Sequence, residues 1–215
     1  MLQLQNKSDV VIVAGVSGSG KSTFTIRHML NAPLACRFVF DPRGEYAARL
    51  KMEACYTAEE LHAAIPGGWI VFSPHQLYPG FDDNSEIAER AFFDFCKFAF
   101  AVSPGIAGQK CFYVTEAWQY CNPYKIPAPF ARIAQDGRKN GLGLMIDTQR
   151  PNKLNESILN EAKEWVCFRL RGANALKCVS DYSWIDPDAL PDLPDLAFVS
   201  EQVDYGRQVS GRLAF

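Results

Sequence analysis

The chain lacks a surplus of either charge: its 215 residues hold 22 Lys and Arg against 24 Asp and Glu, a formal net charge of −2. Static coating of nucleic acid needs a basic footprint, and none is present. A ring that touches DNA only through a few pore loops needs no such excess. Paired cysteines are also missing. The seven Cys (36, 55, 96, 111, 121, 167 and 178) are odd in number and form no C-x-x-C, which argues against a disulfide or zinc framework and for buried thiols in a reducing compartment. No apolar run is long enough to span a bilayer; the richest, Ala91 to Val102, is broken by Asp94 and Lys97. Met1 to Asn6 carries no signal-peptide pattern, and internal repeats and low-complexity tracts are absent. These absences lead to the expectation of a soluble, intracellular protein.

What is there begins with Val10-Val11-Ile12-Val13-Ala14-Gly15-Val16-Ser17-Gly18-Ser19-Gly20-Lys21-Ser22-Thr23. It is a short apolar run ending in a complete G-x-x-x-x-G-K-[ST] loop, with a helix expected from Thr23 to Leu30. Gly15, Gly18 and Gly20 permit backbone angles that turn successive N–H groups inward around a phosphate. Lys21 is suited to the β- and γ-phosphates and the Ser22 hydroxyl to Mg²⁺, while the helix points its positive end at the same anion. The segment predicts a site for ATP and Mg²⁺ built from Gly15, Val16, Ser17, Gly18, Ser19, Gly20, Lys21, Ser22 and Thr23.

Apolar runs of strand length recur at Val10–Ala14, Arg37–Phe40, Trp69–Phe72, Cys111–Thr115, Leu142–Ile146 and Trp165–Leu170. Helix-like stretches separate them at Thr23–Leu30, Ala58–Ala64, Ser85–Ala101, Pro127–Gly137 and Asn155–Ala162. Strands without strict alternation, separated by helices, predict an α/β fold with a mostly parallel central sheet covered on both faces. The length suits one domain over residues 1–215, with a core of about 8–172 and a C-terminal extension of about 173–215. Pro187, Pro191 and Pro194 predict a rigid extended loop. Leu196–Ser200 and Gly211–Phe215 read as a closing hairpin or edge strands. The Phe-rich stretch from Ser85 to Val102 reads as a helix packed on the sheet.

A phosphate loop alone does not separate a kinase from a motor. Cys111-Phe112-Tyr113-Val114-Thr115-Glu116 is an apolar strand ending in an acid that could polarise water for attack on a γ-phosphate. A kinase of this fold needs no such water, so Glu116 favours hydrolysis. The Mg²⁺-supporting acid expected just before it is Thr115, whose hydroxyl could act only through water; Asp41 and Asp147 also end apolar strands and compete for that role. A basic turn, Gly137-Arg138-Lys139, leads to a strand ending in Thr148-Gln149-Arg150-Pro151. Gln149 could sense the γ-phosphate through its amide. Arg138 precedes that strand, so it is expected at the far end of the sheet, placed to serve a neighbour's site as an arginine finger. A small-molecule or nucleotide kinase would instead use Arg132, Arg138 and Arg150 to clamp a substrate phosphate. Arg43, Lys125 and Lys153 fall in expected loops, where solvated charges are ordinary.

Together these segments resemble the FtsK–HerA superfamily of DNA-pumping ATPases, of RecA-like (ASCE) P-loop fold. The residues that carry the likeness are Gly15–Ser22, Asp41-Pro42-Arg43-Gly44-Glu45-Tyr46, Glu116, Gly137-Arg138-Lys139 and Thr148-Gln149-Arg150-Pro151. The resemblance implies catalytic roles for Lys21, Glu116, Gln149 and Arg138. It also implies double-stranded DNA as partner, a homo-oligomer in the form of a hexameric ring, and the small genome-packaging ATPases of internal-membrane phages as the nearest type. Capsid or portal-vertex contacts and a location in the host cytoplasm or at the capsid vertex follow from it. Filamentous-phage assembly ATPases are a related alternative that normally carries a membrane span. Thr115 departs from the family's usual acid.

Overall fold

The computed structural model describes residues 9–214 apart from Asn84 and Asn122. The Met1–Asn6 segment and Phe215, the last residue of the expected hairpin, lie outside them. The parallel strands are β1 (Val10–Ala14), β2 (Cys36–Phe40), β3 (Trp69–Phe72), β4 (Lys110–Thr115), β5 (Leu142–Thr148) and β6 (Ala162–Phe168). The helices are α1 (Lys21–Asn31), α2 (Glu45–Leu50), α3 (Ala58–Ala63), α4 (Glu86–Val102), α5 (Ala128–Asp136), α6 (Glu156–Leu159) and α7 (Ala173–Tyr182). β7 (Ala197–Gln202) and β8 (Arg207–Arg212) continue the sheet antiparallel, giving the order β3-β2-β4-β5-β1-β6-β7-β8.

The unbroken apolar runs follow from burial on both faces: every residue of β1, β2 and β5 is buried. One face carries α1 and α2, whose Phe24, Ile26, Met29 and Tyr46 pack on Val11, Val13, Tyr113 and Met145. The other carries α3, α4, α5, α6 and α7. There the Phe-rich helix is core: Phe92 and Phe95 are buried, with ring centroids 5.2 and 5.9 Å from Phe40. All seven cysteines are buried free thiols.

Several boundaries differ from the sequence expectations. α2 and α7 are additional helices. α6 is one turn long because the chain returns to the sheet at Ala162, three residues before the expected Trp165. The proline segment is not extended; Pro187–Asp192 forms a 3₁₀ turn begun by the Asp186 carboxylate, which accepts the Asp188 N–H at 3.0 Å. The second hairpin strand starts at Arg207, earlier than expected, after a turn in which Gly206 has φ +57°.

Arg37 shows how a charged residue sits inside a buried strand. Its guanidinium donates to the carbonyls of Met29, Ala32 and Leu34 at 2.7, 2.7 and 2.8 Å. It thereby satisfies acceptors at and just beyond the C-terminal end of α1, where a cation also meets the negative end of the helix dipole. The helix that begins at the phosphate loop is thus fastened at both ends.

Candidate active site

The carboxyl ends of β1, β2, β4 and β5 lie on one edge of the sheet, so the four motif segments that follow these strands converge there. β5 stands between β1 and β4, pairing Val13 with Asp147 and Asp147 with Thr115. This inserted strand brings the third motif between the first two.

The loop after β1 is held by its own hydrogen bonds and by its neighbours. Gly15 N–H donates to Thr148 O at 3.1 Å and Val16 N–H to Arg169 O at 2.8 Å. Gly15 has no space for a side chain: a Cβ would lie 2.6 Å from Ser19 Oγ and 2.8 Å from Phe168 Cβ. Gly20, with φ +121°, ends the loop, and α1 starts at Lys21 with no side chain capping its N-terminus among the described residues. Uncapped amides at a helix start suit an anion. Leu196 N–H donates to Ser19 O at 3.1 Å, so the segment entering β7 braces the loop from outside. Ser17 and Gly18 remain exposed.

Lys21 is buried, its Nζ donating to Val16 O at 3.1 Å. Burial lowers its pKa from the ordinary lysine value; the Asp147 and then the Glu116 carboxylate oppose that shift. Glu116 is buried in a left-handed backbone conformation, φ +48°. One oxygen, Oε2, accepts from Trp118 Nε1 at 2.5 Å and from Thr148 Oγ1 at 2.9 Å. The other, Oε1, accepts the Gln149 backbone N–H at 2.9 Å. Three donors therefore fix the orientation of a carboxylate next to the phosphate loop. The side chain of Gln149 itself is exposed at the same edge, and Arg150 lies over the Trp118 ring, 5.1 Å from its centroid.

The remaining candidates sort by position. Ser22 and Thr23 are half-buried in the first turn of α1, and Arg49 donates to Thr23 Oγ1 at 2.9 Å. Thr115 donates its hydroxyl to Asp147 Oδ1. Asp41 is engaged with α2, accepting the Ala47 N–H at 2.8 Å. Arg138 is exposed in the 3₁₀ turn Gly137–Asn140 that precedes β5. It stands at the opposite edge of the sheet, roughly 20 Å from the phosphate loop at 3.3 Å per strand residue. Arg138 and Arg150 flank β5, so they cannot grip one phosphate together, and Arg132 stacks on Phe100 at 4.4 Å. The arginine clamp considered for a kinase is not formed.

Sequence reasoning missed Trp118, Thr148 and Tyr46. Thr148 and Tyr46 lie inside quoted motifs, but only the fold reveals that Tyr46 OH reaches Asp147 Oδ2 at 2.7 Å. The donor set fits ATP with Mg²⁺: buried cation, uncapped helix start, Ser22 hydroxyl and nearby carboxylates.

A parallel sheet with a phosphate loop after β1, an acid after β4 and an added strand between them defines the RecA-like (ASCE) P-loop NTPase fold. Among solved structures, the chain is similar to the genome packaging NTPase B204 from Sulfolobus turreted icosahedral virus 2 in complex with ATP-γS. The TM-score is 0.74 at 20% identity, covering 98% of this chain and 100% of that one. It is also similar to the bacterial conjugative coupling protein TrwBΔN70, with TM-score 0.65 and 9% identity over 97% and 85% of the two chains. These likenesses, at 20% and 9% identity, show the fold that the phosphate loop and the strand order define. No family model matches. A 67-residue segment, 31% of this chain, is 36% identical to a probable helicase of Methanocaldococcus jannaschii; the match spans only 13% of that protein.

Proposed function

We propose that the chain is an Mg²⁺-dependent ATPase that translocates double-stranded DNA as a ring, a viral genome-packaging motor. The observation that carries the reading is Glu116, held by three donors beside Lys21 and the phosphate loop. A carboxylate so fixed orients and polarises a water for attack on the γ-phosphate. Lys21 and the first amides of α1 bind the phosphates and stabilise the charge that develops on them. Ser22 would hold Mg²⁺, which when bound would supply positive charge to offset that of the phosphates. Gln149, whose backbone anchors Glu116, carries the sensing amide at the same edge.

Arg138 supports the ring. It is too far from its own phosphate loop, yet it is exposed on the opposite edge of the sheet, available to a neighbouring subunit as a trans-acting finger. The solved neighbour described as a genome packaging NTPase, aligned across nearly the whole chain, supports packaging over other DNA work. Contact with a capsid or portal vertex, and residence in the host cytoplasm or at that vertex, belong to the same reading. Among the described residues no helix is long and apolar enough to cross a membrane.

The test is ATP hydrolysis with and without double-stranded DNA, on the full chain, with native mass measured in parallel. DNA-stimulated phosphate release by an oligomer is expected. Arg138→Ala should silence turnover in homogeneous rings and regain it when mixed with Lys21→Ala subunits. Absence of this complementation removes the trans finger, and transfer of phosphate to a nucleoside without hydrolysis overturns the motor.

A further inference from the structure

Asp147 is 1% exposed, and neither phosphate binding nor water activation by Glu116 uses it. A buried carboxylate is costly unless a cation or a set of donors answers it. The ammonium of Lys21, the cation that acts on it, is directed to Val16 O. Instead, two hydroxyls hold the carboxylate: Thr115 Oγ1 donates to Oδ1, and Tyr46 OH donates to Oδ2 at 2.7 Å. An ionised carboxylate offers about four lone-pair sites, so two remain.

We propose that Asp147 supplies, from β5, the carboxylate that steadies the nucleotide's Mg²⁺, in place of the acid absent at position 115, with Thr115 and Tyr46 as its positioning residues. The inference rests on the reading of Gly15–Ser22 as a nucleotide site. Three observations carry it. Asp147 is directly paired with Thr115 across β4 and β5, and with Val13 across β5 and β1. The carboxylate is thereby moved one strand, about 4.8 Å, toward the strand that bears the phosphate loop. Second, its neighbours by alternation, Met145 on β5 and Val13 and Tyr113 on the paired strands, all belong to the face that α1 covers. This is the face on which Lys21 and Ser22 begin their helix.

Third, the Asp-Pro-Arg-Gly-Glu-Tyr segment gains a purpose. Asp41 holds the start of α2 through Ala47 N–H, Pro42 O is bound by His75 Nε2 at 2.6 Å, and Arg43 pairs with Asp83 at 2.7 Å. Each contact fixes the entry to α2, the helix from which Tyr46 reaches Asp147. Residues that orient a metal-supporting carboxylate act on metal affinity without touching the metal.

The experiment titrates Mn²⁺, read by electron paramagnetic resonance, into the full-length protein saturated with a non-hydrolysable ATP analogue. Analogue affinity is measured separately by fluorescence in EDTA. Asp147→Asn is expected to keep the metal-free nucleotide affinity and lose Mn²⁺ affinity by about 10- to 100-fold. Tyr46→Phe should lose less, and the exchange Thr115→Asp with Asp147→Thr should recover most of it. Wild-type Mn²⁺ affinity in Asp147→Asn overturns the assignment. If Asp147→Asn does not fold, the exchange variant decides: Mn²⁺ affinity near wild type supports the proposal, and intact nucleotide binding without Mn²⁺ affinity refutes it. No nucleotide binding by the wild type would sink the phosphate-loop reading itself, and this proposal with it.

Discussion

The two edges of the parallel sheet hold the charges of the proposed motor in opposite ways. At the carboxyl edge, Glu116 and Asp147 are buried, and each oxygen is met by a donor of fixed direction. At the amino edge, Lys163 and Asp204 form an exposed pair at 3.0 Å, and Arg138 stands in solvent near Asp9. Exposed pairs contribute little and rearrange freely. Buried, fully satisfied networks cost desolvation but hold one geometry. Orientation is what water activation and phosphate binding require, whereas an adaptable cation suits contact with another subunit.

Glu116→Gln at the carboxyl edge breaks the comparison most severely. It should lower turnover by about 10²- to 10⁴-fold while leaving nucleotide affinity near wild type, measured by phosphate release and analogue binding. Equal loss of both would mean that Glu116 is only a structural anchor. Next comes Arg37→Leu at the amino edge, where a buried cation satisfies three acceptors. Met29 O and Leu34 O lose the Arg37 donor and Ala32 O keeps only the Leu34 N–H, and chemical denaturation should show a loss of about 3 kcal/mol.

Glu164 sharpens the contrast through pH. It is buried near the amino edge with Ser200 Oγ donating at 2.8 Å. Burial raises its pKa to about 7 from 4.5; the Ser200 hydrogen bond opposes the shift and Asp9 adds to it. Between those values the folded state holds the proton and the unfolded state releases it, so stability from this group is fullest below pH 4.5 and falls as pH rises to about 7. Glu164→Gln should therefore be more stable than wild type at pH 8 by up to about 3 kcal/mol, with little difference at pH 4, read from melting at both values. A pH-independent difference would refute the assignment. The smallest effect is expected for Arg138→Ala on the isolated chain: stability within about 0.5 kcal/mol and nucleotide affinity unchanged. A clear loss of affinity there would place Arg138 in its own site and remove the distinction between the edges.

Much of this was legible in the sequence because the signals are local. The phosphate loop needs glycines, a lysine and a hydroxyl within eight consecutive residues. Strands buried on both faces read as unbroken apolar runs, and β1 to β5 fall within a residue or two of expectation. The short helix α2 was not legible, since Glu45–Leu50 buries only Tyr46 and Ala47, two adjacent positions that set no helical period. The start of β8 was misplaced because its side chains are mostly exposed and leave no burial pattern.

The sequence by itself determined the phosphate loop, the alternation of strands with helices and the identity of the acids that end strands. Each is written in contiguous residues whose backbone and side-chain preferences act over a few positions. Only the tertiary structure decided which acid stands beside which strand. Threading β5 between β1 and β4 joined Asp147 to Thr115 and Tyr46, closed Thr148 and Gln149 on Glu116 and left Arg138 on the far edge. These contacts link residues 32 to 101 positions apart, and strand order is set by how the two apolar faces are covered, which no single segment specifies.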